Sequence, residues 1–377
     1  MTKIIFLGDL CVSGSVVPAV SPAANSILQS ANFVCINFEA PVIQPGTAPA
    51  PKAGPSIHQT EIALDVVTLC CTTHLNLANN HIMDYGGSGL RTTLRMLDKH
   101  NIIGAGMSRK SAYQAAWVEH NGERIALLAF GEAQFGALQD LSDDAGFAWI
   151  DSPDARRAVL EARTKADWVI VQVHAGLEMV DIPLPEWRTR FRELIDLGAD
   201  IVIGHHPHVL QGSECYKDKM IHYSLGNFYM DVMLQQAVPG SGGLLEVIIE
   251  DGILSSRLIP LRVTQQLIDL DESKKTHQAY QAICYKLTDD AAYMKEIEDI
   301  CEKFWVDVYS KYYEFASTGF GAKPNISAGL KLLRRLLAYL IRQRWNTQSN
   351  ELMLIHNIRI ETHRWVVERA LSKRVSQ

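Results

Sequence analysis

Short apolar runs punctuate the first two thirds of the chain, and polar residues of a narrow set of types follow them. Ile4–Leu7, Phe33–Ile36, Thr73–Leu77, Trp168–Val173, Ile201–Ile203 and Met220–Leu225 are the clearest runs. Continuous apolar runs of this length suit strands covered on both faces, as in a layered α/β fold. Between them, Glu61–Leu69, Gly89–Lys99, Asp154–Lys165 and Pro185–Leu197 carry helical spacing, the second with Ser88 placed to cap it. Trp117–His120 and Arg124–Phe130 around Asn121-Gly122 predict a hairpin with a type I′ turn, and Leu244–Glu250 and Ile253–Val263 around Asp251-Gly252 predict another. Pro41–Pro55, with five prolines, predicts a loop. From about Ser273 the spacing turns helical, broken at Gly319–Pro324. An α/β domain over residues 1–270 and a helical domain over 271–377 follow from these patterns.

Bulk properties mainly exclude classes. Hydrophobic residues make up 47% and charged residues 21%, the mixture of a chain that buries a core. No low-complexity tract or short repeat appears, which removes disordered and solenoid readings. Met1–Leu7 is too poor in apolar residues for a signal-peptide core, and Gly8-Asp9 follows where a small-residue cleavage site belongs. No uninterrupted apolar run is long enough to span a bilayer. The seven cysteines are odd in number, include the adjacent pair Cys70-Cys71 and show no metal spacing, so they read as buried thiols of a reducing, cytoplasmic protein. Charge is uneven: residues 321–377 hold eleven Lys/Arg against three Glu, and the rest 25 against 39. A basic tail on an acidic body suggests docking onto that body or an anionic partner; no nucleic-acid partner is expected.

The chemistry lies where the runs end. Ile4–Leu7 leads to Asp9, Phe33–Ile36 to Glu39, Thr73–Leu77 to Asn80 and His81, Trp168–Val173 to His174, and Ile201–Ile203 to His206 and His208. In an open α/β sheet the carboxyl ends of neighbouring parallel strands face one crevice. Carboxylate, amide oxygen and imidazole together suit a divalent transition ion such as Mn, Fe or Zn. A bridging carboxylate such as Glu39 lets two ions sit roughly 3.5–4 Å apart. Singly, each of these residues reads as a turn, a cap or a satisfied histidine. Repetition at five strand ends outweighs that reading, and three imidazoles in His205-His206-Pro207-His208 are hard to assign to packing.

Gly8-Asp9, Asn37-Phe38-Glu39-Ala40-Pro41, Leu77-Ala78-Asn79-Asn80-His81-Ile82-Met83-Asp84-Tyr85-Gly86, His174-Ala175-Gly176, Gly204-His205-His206-Pro207-His208-Val209-Leu210-Gln211 and Tyr223-Ser224-Leu225-Gly226-Asn227-Phe228 arrive in a telling order. Over residues 1 to about 260 the chain resembles the CapA family, poly-γ-glutamate capsule proteins of the calcineurin-like metallophosphoesterase superfamily. The resemblance implies a four-layer sandwich, helices outside two sheets, followed here by a helical C-terminal domain. It implies two divalent metal ions: Asp9 and His208 on one, Asn80, His174 and His206 on the other, Glu39 shared. It makes His81 the acid that protonates the leaving group, oriented by Asp84. Cys11 stands where the superfamily often has a His, and Ala175 where the family has Trp.

The expected function is metal-dependent hydrolysis of a phosphoester or of a γ-glutamyl or peptide-type amide, on an anionic or peptidic small molecule or polymer. The alternatives are a metal-dependent epimerase or isomerase, and a non-catalytic partner in surface-polymer biosynthesis. Substrate contacts are expected from Lys52 in the Pro-rich loop beside Gly54 and His58, from Glu178, four residues past His174, and from Asn227 with Ser224. Leu330–Trp345 has the pattern of a basic amphipathic helix, suited to packing on neighbouring helices and also to peripheral membrane contact.

Overall fold

A computed structural model describes residues 1–139, 144–235, 240–318 and 347–375. Two compact units emerge: Met1–Ala50 with Ser56–Asp290, and Pro51–Pro55 with Ala291–Gln377.

The first unit is built on a nine-stranded and a six-stranded sheet, with a two-stranded ribbon beside them. In the larger sheet Thr2–Cys11 runs parallel to Phe33–Phe38 and Asn227–Met230 and antiparallel to Gly240–Glu250. His74–Asn76 and Asn101–Ile103 extend the parallel side. In the smaller sheet Glu123–Gly131, Trp168–His174, Ile201–His205 and Lys219–Leu225 are parallel neighbours, edged by antiparallel Ala116–His120 and Leu210–Tyr216. Ile4, Leu7 and Leu75 from one sheet share a continuous core with Leu127, Ile170 and Ile203 from the other. Burial on both strand faces explains why these runs are apolar without alternation.

Helices cover the sheets as the 3.6-residue spacing predicts. Pro153–Arg163 packs on Glu123–Gly131 and Trp168–His174, and Pro185–Asp196 on Ile201–His205 and Lys219–Leu225. The former starts on the Ser152 side chain, which accepts from Asp154 N, with Pro153 at the first turn. Ser88 is not a cap: the helix begins at Gly86, and the Ser88 hydroxyl donates to Tyr85 O inside the first turn. Both hairpins form, with Asn121 (φ 52°), Gly122 (φ 80°), Asp251 (φ 53°) and Gly252 (φ 73°) supplying the left-handed turn residues.

The last strand, Leu267–Leu270, ends at the expected domain boundary, yet the first unit continues to Asp290. Helix Lys274–Tyr285 belongs to it because Cys284 Sγ accepts from Ser213 N at 3.3 Å, Tyr280 Oη donates to Ser213 Oγ at 3.2 Å, and Arg188 reaches Leu287 O at 2.8 Å. The second unit contains helices Asp290–Phe304, Ser310–Thr318, Thr347–Arg359 and Glu361–Val375, with a π-helical turn over Trp305–Tyr309. The break at Gly319–Pro324 and the basic helix at Leu330–Trp345 lie outside the described residues. Among the described residues, no helix is long and apolar enough to cross a membrane. The cysteines are free thiols, but not all are buried: Cys71 and Cys215 are exposed and Cys284 is half-buried.

Candidate metal centre

Strand register brings the polar ends together. Asp9 pairs with Asn37, and Asn37 with Asn76; in the other sheet Gly131 pairs with His174, and His174 with His205. Asp9 is not beyond its strand but within it, past a register shift between Leu7 and Asp9. Gly8 makes that shift possible, because a Cβ there would lie 2.0 Å from Gly226 O. The close approach docks the Ser224–Phe228 turn on the first strand, where Asp9 N donates to Gly226 O at 2.9 Å.

Asp9, Glu39, Asn80, His174, His206 and His208 converge and are buried. Glu39 Oε1 lies 3.8 Å from His174 Nε2 and 3.9 Å from His208 Nε2. His174 Nε2 donates to Asn80 Oδ1 at 2.9 Å, and Asp9 Oδ2 accepts from His206 N at 3.2 Å. Two triplets have mutually close donor atoms, within 4.8 Å: Asp9–Glu39–His174 and Glu39–His206–His208. Glu39 belongs to both, as a shared carboxylate requires. The other members sort across the partition that the resemblance implies, His174 with Asp9 and His206 with His208.

Ala40 (φ 86°), His206 (φ 98°) and His208 (φ 59°) hold left-handed backbones without being glycine. Such conformations cost of order 1–3 kcal/mol each and persist where surrounding contacts impose them, commonly at functional sites. Here Asn79 supplies part of the constraint: its Nδ2 donates to Phe38 O at 2.9 Å, while its Oδ1 accepts from Ala40 N and His81 N.

The electrostatics are those of a desolvated cation site. Burial raises the Glu39 carboxyl well above its ordinary range, against the pull of His208. Burial also acts to raise Asp9, but hydrogen bonds from His205 and His208 outweigh it and hold that carboxyl low. His206 is pushed down to about 4 by burial, and His174 falls well below its usual value by burial and the neighbouring His206. His208 alone rises, to about 10, because Glu39 and Asp9 outweigh its burial. Both oxygens of Glu39 and Nδ1 of His206 are buried without a hydrogen-bond partner among the described residues. Buried polar atoms are ordinarily paired, and an unpaired carboxylate is costly unless a cation meets it. The donor set therefore fits divalent metal.

The remaining predicted residues divide. His81 Nδ1 donates to Asp84 Oδ2 at 2.7 Å, and Ile57 N donates to the same oxygen at 2.8 Å. Asn227 Oδ1 accepts from His208 Nδ1 at 3.0 Å, and its Nδ2 lies 3.4 Å from Met233 Sδ. Ser224 Oγ accepts from Gly226 N at 3.0 Å and braces the turn. Glu178 is exposed, yet its charge acts on Glu39, His206 and His208. Lys52 and Gly54 fall in the stretch that clusters with the second unit. His58 Nδ1 is 3.2 Å from Tyr85 Oη. Cys11 is fully buried and burial, reinforced by Glu39, keeps it a neutral thiol. Sequence reasoning missed Asn37, whose Nδ2 donates to Asp9 Oδ1 at 2.7 Å and lies 3.1 Å from His174 Nδ1, and Glu132, which lies 3.6 Å from His206. Both follow the same signal, a polar residue at the end of an apolar strand.

Fold and site together define a mixed α/β protein with a buried carboxylate–imidazole centre of metal-binding composition. The sequence profile of the bacterial capsule synthesis protein family PGA_cap matches residues 3–232, and the chain belongs to that family. It is 34% identical over 212 residues to the capsule biosynthesis protein CapA of Bacillus anthracis, covering 54% of this chain and 52% of that one. It is likewise 34% identical over 238 residues to the PGA biosynthesis protein CapA of Bacillus subtilis (strain 168), covering 60% and 62%. The chain thus spans between half and two thirds of the length of these relatives. Among solved structures it is similar to a putative 5'-nucleotidase from Staphylococcus aureus, at 15% identity and a TM-score of 0.44, over 75% of this chain and 58% of that one.

Proposed function

We propose that the chain is a metal-dependent hydrolase that uses two divalent cations, Mn, Fe or Zn, to cleave a phosphoester or a γ-glutamyl or peptide-type amide. The observation that carries this reading is the pair of unpartnered Glu39 oxygens, fully buried and shared by both donor triplets. Two cations, when bound, make water a nucleophile at neutral pH and offset charge developing on the scissile group.

The protein's own residues supply orientation and the proton. Asn227 accepts the Nδ1 proton of His208, which leaves Nε2 as the nitrogen free to coordinate. Asp9 and Glu39 provide negative charge, and Asn80 Oδ1 a neutral oxygen. His81, held through Nδ1 by Asp84, keeps Nε2 for donating a proton to the leaving group. Membership in a family whose relatives are named for capsule and PGA biosynthesis supports the γ-glutamyl option.

The test is elemental analysis of purified protein, then turnover with phosphomonoesters, phosphodiesters and γ-glutamyl peptides in the metals found. Stoichiometric metal, and release of phosphate or amine that stops on chelation, is the expected result. Wild-type turnover from a metal-free Glu39→Ala variant refutes the proposal. An accessory binding role in polymer synthesis is the second reading, favoured by the name of a 28% identical relative, a probable polyglutamine synthesis accessory protein of Mycobacterium tuberculosis. Metal-stripped protein that still binds poly-γ-glutamate would support it.

A further inference from the structure

One buried carboxylate at the centre has no part in the ligand set. Strand Glu123–Gly131 runs beside Trp168–His174, with Gly131 opposite His174. The next residue, Glu132, donates its N–H to His174 O at 3.1 Å, so its position is set by the strand that carries a ligand. Its side chain is 1% exposed, and its Oε1 lies 3.6 Å from His206 Nε2. Gln134 Nε2 donates to the same Oε1 at 2.5 Å and braces the carboxylate from the other side. His206 is meanwhile fixed through its backbone, its N–H on Asp9 and its φ at 98°. Of its two ring nitrogens, Nε2 faces Glu132 and Nδ1 is buried without a hydrogen-bond partner among the described residues.

We infer that Glu132 is a positioning residue that accepts the Nε2 proton of His206 and thereby presents Nδ1 to one of the two metal ions. The inference rests on the two-metal reading above. The chemistry is that of a carboxylate holding a metal-bound imidazole in one tautomer and raising its basicity, a role whose loss costs about 10- to 100-fold in metal affinity. A spacing of 3.6 Å is long for a hydrogen bond, and such contacts tighten when the site is engaged. His208 Nδ1 lies 3.0 Å from Asn227 Oδ1, so an amide stands beside it as well. Each imidazole of the Glu39–His206–His208 triplet thus has a carboxylate beside one ring nitrogen, Glu132 for His206 and Asp9, 3.4 Å from His208 Nδ1, for His208.

The experiment is a titration of metal-stripped full chain with Zn²⁺ and with Co²⁺, read by calorimetry and by the visible Co²⁺ spectrum. Wild-type protein is expected to take up two ions. Glu132→Gln should weaken one binding step by about 10- to 100-fold, leave the other unchanged and alter the Co²⁺ bands of the weakened site, with unchanged Tm for the metal-free protein. Gln134→Leu, which removes only the brace, should weaken the same step by less; it carries the test if Glu132→Gln does not fold. Two ions bound at wild-type affinity by Glu132→Gln, or by Gln134→Leu where that variant carries the test, overturn the role of Glu132 and leave the metal centre standing. Wild-type protein that takes up no metal overturns both.

Discussion

Two glutamates in the first unit, Glu39 fully buried and Glu214 half-buried, meet the same desolvation problem in opposite ways. Glu214, on strand Leu210–Tyr216, accepts from Arg188 Nε at 2.8 Å, from Arg192 Nε at 2.7 Å and from Tyr223 Oη at 2.7 Å. Burial acts to raise its carboxyl, but those donors outweigh it and the net shift is downward. Glu39 has no donor among the described residues, and its carboxyl is driven up instead. A saturated ion cluster holds elements together: Arg188 also reaches Leu287 O and Asp290, tying the Lys274–Tyr285 helix region to the sheet. An unsaturated one leaves acceptors compatible with a cation from outside. Burial and charge alone do not separate the two; the state of the acceptor lone pairs does.

The contrast can be broken at its strongest point by removing each carboxylate. Glu39→Ala should abolish metal content and reduce turnover about a thousandfold or more, since both cations lose a ligand; elemental analysis and steady-state kinetics decide it. Glu214→Ala should do the reverse, leaving metal content intact while costing about 3 kcal/mol of stability, because two guanidiniums lose a hydrogen-bonded carboxylate. Equilibrium denaturation measures that loss, and a Glu214→Ala protein of wild-type stability would erase the distinction.

Acid offers a smaller test, away from the centre. His222 is buried, with Nε2 2.9 Å from Ser256 Oγ, and burial lowers it from 6.5 to about 4. Folded His222 thus binds its proton more weakly than the unfolded chain does. Its share of stability is complete above pH 6.5 and drains away as pH falls toward 4, to a limit of about 3 kcal/mol. A His222→Asn variant should show a flatter acid limb in stability against pH; an unchanged limb counts against the assignment. Smallest, divalent metal at a hundred times its Kd should stabilise the wild type by about 2.7 kcal/mol and Glu39→Ala not at all, read as a shift in Tm.

Much of the fold was legible because burial on both faces leaves a plain trace. The apolar runs became strands, and the Asn121-Gly122 and Asp251-Gly252 turns needed the left-handed backbones those residues tolerate. Ser88 misled because its hydroxyl bonds Tyr85 O within a helix that starts earlier at Gly86. The boundary expected at residue 270 could not reveal that the following helix packs back on Ser213, nor that Arg188 reaches Leu287 O. Asn37 and Glu132 carry the same strand-end signal, but their roles escaped notice because each acts through a partner far away in sequence.

The order of residues alone determined that this is a layered α/β chain whose strands end in carboxylates, amides and imidazoles, since hydrophobic periodicity and side-chain chemistry are local properties. Only the tertiary structure decided that Glu39 stands in both donor triplets with its oxygens unpaired, that Asn227 serves His208, and that Glu132 faces His206. Those facts depend on strand register and on the approach of Gly8 to Gly226, where contacts a few ångströms long join residues more than a hundred positions apart.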